Sequence, residues 1–193
     1  RATRPYFGVA NPILVGSDGA DTRALQRLTC PAPRPAVAKS NVALDRSPPQ
    51  LKTLVRSGKV DASMVRTMPP LPETTDEICA VARGLGADLE QDLLIGPDAS
   101  KSRIVAANEN RKLASYRIVH FATHGLVGGE IAGLTEPALV LSPPVAPSDD
   151  DNGLLTASDV AVLRLDADVV VLSACNTASG QGEDKQALSG LAR

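Results

Sequence analysis

The sequence predicts an α/β fold: a mostly parallel sheet covered by helices on both faces. Three observations carry this. Leu93-Leu94-Ile95, Arg117-Ile118-Val119-His120-Phe121 and Val169-Val170-Val171-Leu172-Ser173 are short, nearly continuous apolar runs, the pattern of strands buried on both sides. Stretches with helical periodicity separate them, and strand–helix alternation favours parallel pairing. The chain has 193 residues, 43% of them hydrophobic and 22% charged, which suits one globular domain.

In chain order, Tyr6-Phe7-Gly8-Val9 reads as the first strand and Ala10-Asn11-Pro12 as a turn after it. Residues 31–50 hold Pro31, Pro33, Pro35, Pro48 and Pro49 among polar residues, which predicts a long surface loop or insertion. Pro69, Pro70 and Pro72 precede the first clear helix. That helix opens with Thr74 and Glu77 at capping-box spacing and carries Ile78, Val81, Ala82 and Leu85 on one face. Gly84 and Gly86 close it. After the Leu93–Ile95 strand, Ser100 caps a second helix containing Ile104, Val105 and Ala106. The strand from Arg117 follows, then a glycine-bearing loop from Gly125 to Gly133. Ala138-Leu139-Val140-Leu141 is a further strand. Pro143, Pro144, Pro147 and Asp149-Asp150-Asp151 mark an exposed, solvated loop. Thr156 and Asp159 cap a helix running to Leu163, and Val169–Ser173 is the last strand.

Charge and composition exclude several classes of function. The net charge is -2 and basic residues form no run, so neither nucleic acid nor an acidic membrane is the expected partner. Tyr6, Phe7, Tyr116 and Phe121 are the aromatics and Trp is absent, too few for base-stacking platforms. No apolar stretch reaches the roughly 18 residues a membrane helix needs. Cys30, Cys79 and Cys175 are odd in number and widely spaced, which predicts neither a disulfide framework nor a zinc ribbon. A reducing, cytoplasmic setting is the expectation. The chain begins at Arg1 and stops within Ala187-Leu188-Ser189-Gly190-Leu191-Ala192-Arg193, so a fragment of a larger protein is expected.

Two strand exits carry the chemistry. One delivers Thr123-His124-Gly125, the other Ala174-Cys175-Asn176-Thr177. Parallel sheets place ligands beyond the carboxyl ends of their strands, and a cysteine beside a histidine is a nucleophile with its base. A cysteine near the end of an apolar run is usually a small core residue. The position of Cys175 before Asn176, Thr177, Ser179, Gly180 and Gly182 places it at an exit, where a following helix start favours a thiolate. Cys79 falls within a helix and reads as structural; Cys30 has no assigned role. His124 is followed by Gly125, which permits close approach, whereas His120 sits mid-strand and reads as a core or supporting residue. His120 and His124 also have the spacing of a helical zinc site. Phe121 stands where that motif has its Glu, and in a strand the pair is about 13 Å apart at roughly 3.3 Å per residue. No metal is expected, and no phosphate-binding glycine loop is present.

His120-Phe121-Ala122-Thr123-His124-Gly125 and Ser173-Ala174-Cys175-Asn176-Thr177 resemble the motifs of the CHAT domain, a bacterial caspase-like peptidase domain commonly found beside tetratricopeptide repeats. Gly153-Leu154-Leu155-Thr156-Ala157-Ser158-Asp159 and Gly190-Leu191-Ala192-Arg193 resemble further segments of it. The specific match covers roughly residues 71–193. Cys175 follows His124 by 51 positions, close to the separation of about 50 in caspases. Ser173 and Thr177 depart from the caspase signature Gln-Ala-Cys-x-Gly, so a preference for Asp is not implied.

The resemblance implies a caspase-like three-layer sandwich spanning 1–193 as one peptidase domain, with its C-terminal part missing. It implies a cysteine endopeptidase that needs no cofactor. Cys175 would be the nucleophile and His124 the base, with the backbone N–H groups of Gly125 and Cys175 as the oxyanion hole. Glu183 and Asp184 are candidates to line a pocket for a basic side chain; a solvated loop is the competing reading. The implied partners are a protein or peptide substrate and an attached regulatory repeat region. The alternative from another class is a catalytically silent scaffold domain.

Overall fold

The computed structural model describes residues 1–32 and 60–173. The Pro-rich stretch from residue 33 onward, Cys175, Glu183 and Asp184 lie outside the described residues.

Four strands form one parallel sheet in the order β2-β1-β3-β7. These are β1 (Phe7–Pro12), β2 (Leu93–Gly96), β3 (Ile118–Ala122) and β7 (Val169–Leu172). Their pairing puts Gly8 between Leu93 and His120, and His120 beside Val171. Alternation of side chains then divides the sheet into two faces. Phe7, Val9, Val119 and Phe121 point into a core with Ile104, Leu113 and Tyr116, against which Val160 and Leu172 pack. Tyr6, Ala10 and Ala122 face Ile78, Cys79 and Ala82. Helix α2 (Glu73–Gly84) thus covers one face, while α3 (Lys101–Glu109) and α4 (Ala157–Ala161) cover the other. This is the three-layer arrangement that the sequence predicts.

A second, antiparallel sheet runs β4 (Gly125–Leu126), β5 (Ala138–Val140), β6 (Leu154–Thr156). Ala138–Leu141 therefore does not extend the parallel sheet. Its residues split instead: Leu139 and Leu155 join the core under Phe121, whereas Ala138, Val140, Leu126 and Leu154 pack on Leu14, Val65 and Met68. Val65 belongs to α1 (Ala62–Arg66), a short helix capped by Asp61, whose carboxylate accepts from Ser63 N. Neither α1 nor β6 is predicted by periodicity, because five and three residues are too few to display it.

Several local expectations are corrected. Asn11-Pro12 is not a turn: β1 continues through it with a register shift, and Asn11 takes φ 49°, which asparagine tolerates. The Asn11 amide nitrogen holds the Ala24 and Arg27 carbonyls at 2.8 and 3.1 Å. Thr74 and Glu77 do not form a capping box. Helix α2 begins two residues earlier, at Glu73, with Pro72 as its N-cap. The Thr74 hydroxyl donates to Leu71 O and accepts from Asn11 N. The hydroxyl thus serves the preceding turn and β1 in place of the helix's own N–H groups. At the other end Gly86 takes φ +70°, as a helix stop requires. Ser100 caps α3 by accepting from Arg103 N, and Thr156 with Asp159 forms a complete capping box on α4, both as predicted.

The expectation of no disulfide is also overturned. Cys30 and Cys79 are bonded, with their Cα atoms 5.6 Å apart. Spacing alone hid the pair, because the contact arises only when residues 24–31 fold back over α2. Arg27 O accepts from Thr75 Oγ1, and Pro31 O accepts from Arg83. The resulting link ties the end of the first described segment to the helix covering the sheet. Among the described residues, no helix is long and apolar enough to cross a membrane.

Candidate active site

His124 leaves the carboxyl end of β3 and enters β4. Three restraints fix it. Its carbonyl accepts from Val140 N at 2.9 Å. The neighbouring Thr123 hydroxyl donates to Val140 O. Its ring Nε2 lies 2.8 Å from Pro69 O. A carbonyl only accepts, so Nε2 carries the proton and Nδ1 holds the lone pair.

The acceptor is itself held in place. Pro70 keeps Pro69 out of the helical region and has no N–H of its own. The Pro69 carbonyl is turned to the buried His124 ring. Its segment is anchored by Met68 in the core with Leu126 and Val140, and by Gly16 N donating to Met68 O at 3.1 Å. No side-chain motif in the sequence announces this partner. The one available signal is the Pro69-Pro70 pair, which restricts the backbone.

The imidazole is 2% exposed. Burial pushes its pKa below the ordinary histidine value, against weaker upward pulls from the Pro69 carbonyl and the Glu73 carboxylate. His124 is therefore neutral at pH 7, the form in which a histidine accepts a proton.

Gly125 begins β4. The Val140 N to His124 O bond makes 124 and 140 a hydrogen-bonded pair, so Gly125 and Leu139 form the following non-bonded pair. The Gly125 N–H is thereby turned away from β5.

On the α2 face, His120 is 3% exposed and joins side chains that the motifs left apart. Tyr6 OH lies 2.7 Å from its Nδ1 and Ser173 Oγ 2.8 Å from its Nε2. Ser173 Oγ also donates to Glu77 Oε1 at 2.7 Å. Tyr6 and Glu77 carry no sequence signal for this role; only the register of β1 against β3 brings the tyrosine there. The acidic loop is as expected at its tip: Asp149 and Asp150 are exposed, while Asp151 Oδ1 accepts from Gly153 N in an ordinary turn.

A model of the CHAT domain family matches residues 13–193. The chain belongs to the CHAT domain family. This is a caspase-like, peptidase-type family, and the parallel sheet with helices on both faces agrees with it. No curated protein and no solved structure matches the chain. In this CHAT domain, His124 and Gly125 stand side by side at one strand exit. Cys175 comes two positions after Ser173 in the sequence and lies outside the described residues.

Proposed function

We propose that this CHAT domain is a cysteine endopeptidase that cleaves a specific partner protein, with one peptidase domain spanning 1–193. The observation that carries the reading is the state of His124: buried, neutral, its Nε2–H given to Pro69 O and its Nδ1 left as the base. A histidine held this way is oriented by a backbone group in the role that a carboxylate fills in other nucleophile–base pairs.

In this mechanism Nδ1 of His124 takes the proton from the Cys175 thiol. The sulfur attacks the scissile carbonyl carbon and the carbonyl electrons move to oxygen. The N–H groups of Gly125 and Cys175 hold that oxyanion. The imidazolium returns its proton to the departing amine, leaving a thioester. Water, deprotonated by His124, then releases the acid and restores the thiol. Glu183 and Asp184 would favour a basic residue before the cleaved bond. An attached repeat region controls access to the site. The cytoplasmic setting that goes with this reading requires Cys30 and Cys79 to exist there as thiols, since reducing compartments keep cysteines reduced.

The test is thiol labelling of the full-length protein, first reduced so that Cys30 and Cys79 are thiols, at near-neutral pH with a small alkylating agent and then a peptidyl electrophile, each cysteine read by mass spectrometry. Cys175 is expected to react faster than Cys30 or Cys79, and His124→Ala is expected to remove that advantage. Equal labelling in wild type and His124→Ala, with candidate activators present, would instead assign the domain a scaffold role.

A further inference from the structure

We propose that Tyr6, His120, Ser173 and Glu77 form a positioning chain that sets the path of the backbone as it leaves β7 toward Cys175. This rests on the peptidase reading for its consequence, though not for its geometry.

Proton counting fixes the direction of the chain. Glu77 Oε1 is a carboxylate oxygen and accepts, so Ser173 Oγ gives it its proton. Ser173 Oγ must then accept from His120, which places the ring proton on Nε2. Nδ1 is left to accept from Tyr6 OH. Ser173 Oγ, at 2.8 Å, is the nearer acceptor for the Nε2–H, with Glu77 Oε1 behind it at 3.4 Å. Burial favours the neutral form of both Tyr6 and His120, as this arrangement needs. The same counting rules out Ser173 as a nucleophile: His120 presents it a proton rather than a lone pair.

The chain ties four elements at one point: the entry to β1, the middle of β3, the end of β7 and helix α2. Its location matters. Ser173 N donates to Phe121 O at 2.9 Å, continuing the β3–β7 ladder one residue past β7. The side-chain clasp acts at that same residue. Cys175 is only two residues further along the chain, at most about 7 Å away, so holding Ser173 restricts the volume open to its sulfur. Displacements of about 1 Å in a reacting group cost on the order of 100-fold in rate. Gly8 makes the clasp possible: a Cβ there would come within 2.9 Å of Tyr6 Cε1.

The experiment uses the full-length protein and three variants. His120→Leu fills the space and breaks the chain. His120→Gln keeps an amide N–H for Ser173 and an amide oxygen for Tyr6. Ser173→Ala removes the exposed link while leaving Tyr6 and His120 paired, and serves if His120→Leu does not fold. Amide hydrogen exchange at Ser173 and inactivation of Cys175 by a peptidyl electrophile are the readouts. In His120→Leu and Ser173→Ala, exchange is expected to rise about tenfold. The maximal inactivation rate should fall about tenfold with the electrophile's binding constant unchanged. His120→Gln should restore both to within about threefold. Exchange within twofold of wild type in His120→Leu and Ser173→Ala would overturn the proposal, as would a His120→Gln variant no better than His120→Leu. Should exchange respond as stated while wild-type Cys175 shows no His124-dependent inactivation, the clasp stands and the peptidase reading falls.

Discussion

Acidification from pH 7.5 to 5.5 is expected to destabilise the fold through its histidines. The chain has two, His120 and His124, both buried. Burial lowers the pKa of each, opposed more weakly by Glu77 at His120 and by the Pro69 carbonyl and Glu73 at His124. The sign follows from proton uptake. Once unfolded, each ring titrates near about 6.5, so below that pH the unfolded chain binds protons that the native state refuses. Stability is then full above about pH 6.5 and is lost as pH falls toward the native pKa values. Protonating one unfolded histidine between pH 7.5 and 5.5 costs the native state at most about 1.4 kcal/mol, and the two together at most about 2.7 kcal/mol. Glu130 acts in the opposite sense, since burial raises its pKa, and comparing wild type with single variants removes its contribution. Urea unfolding under non-reducing conditions measures the effect. Wild type should lose between about 1 and 2.7 kcal/mol over this range, and His120→Gln and His124→Gln should each lose distinctly less. A loss on acidification that is the same in wild type, His120→Gln and His124→Gln would show that neither ring resists protonation in the native state, and the neutral tautomers assigned to them would be wrong.

Gly8→Ala is expected to cost about 1–3 kcal/mol by overpacking, because the new Cβ would meet Leu93 Cδ2 and Tyr6 Cε1 at 2.9 Å; an unchanged urea midpoint would contradict the packing described. Removing the Cys30–Cys79 bridge, which joins residues 49 positions apart, should destabilise by about 4 kcal/mol on loop-closure grounds. The doubly substituted Cys30→Ala, Cys79→Ala protein measures this without a reductant, and a loss below about 1 kcal/mol would count against a bridge that constrains the unfolded chain.

What could be read in the sequence follows from what physics makes local. Apolar runs located β2, β3 and β7; the expectation of burial on both faces holds for β3 but not for β7, whose Val169 and Val170 are exposed. Ser100 and the Thr156–Asp159 pair marked helix starts correctly because each cap is satisfied within its own turn. Thr74 misled for the opposite reason: the backbone N–H of Asn11, 63 positions away, donates to its hydroxyl. His124 was legible as a strand-exit histidine. The Pro69 carbonyl that orients it was not, because every residue carries that group. Cys30 and Cys79 gave no hint of pairing, since only the fold of residues 24–31 over α2 joins them. Tyr6 and Glu77 likewise gain their partners from β-sheet register and helix placement, neither of which spacing encodes.

The Cys30–Cys79 bond has a topological consequence. It closes the main chain from 30 to 79 into a ring, and that ring contains Pro69, whose carbonyl holds His124. A single cut anywhere in the ring would produce two polypeptides but not two molecules. The piece bearing Tyr6 would stay covalently joined to the piece bearing His120 and His124. Separation would need both proteolysis and reduction, so either event by itself leaves the sheet's first strand attached to the rest.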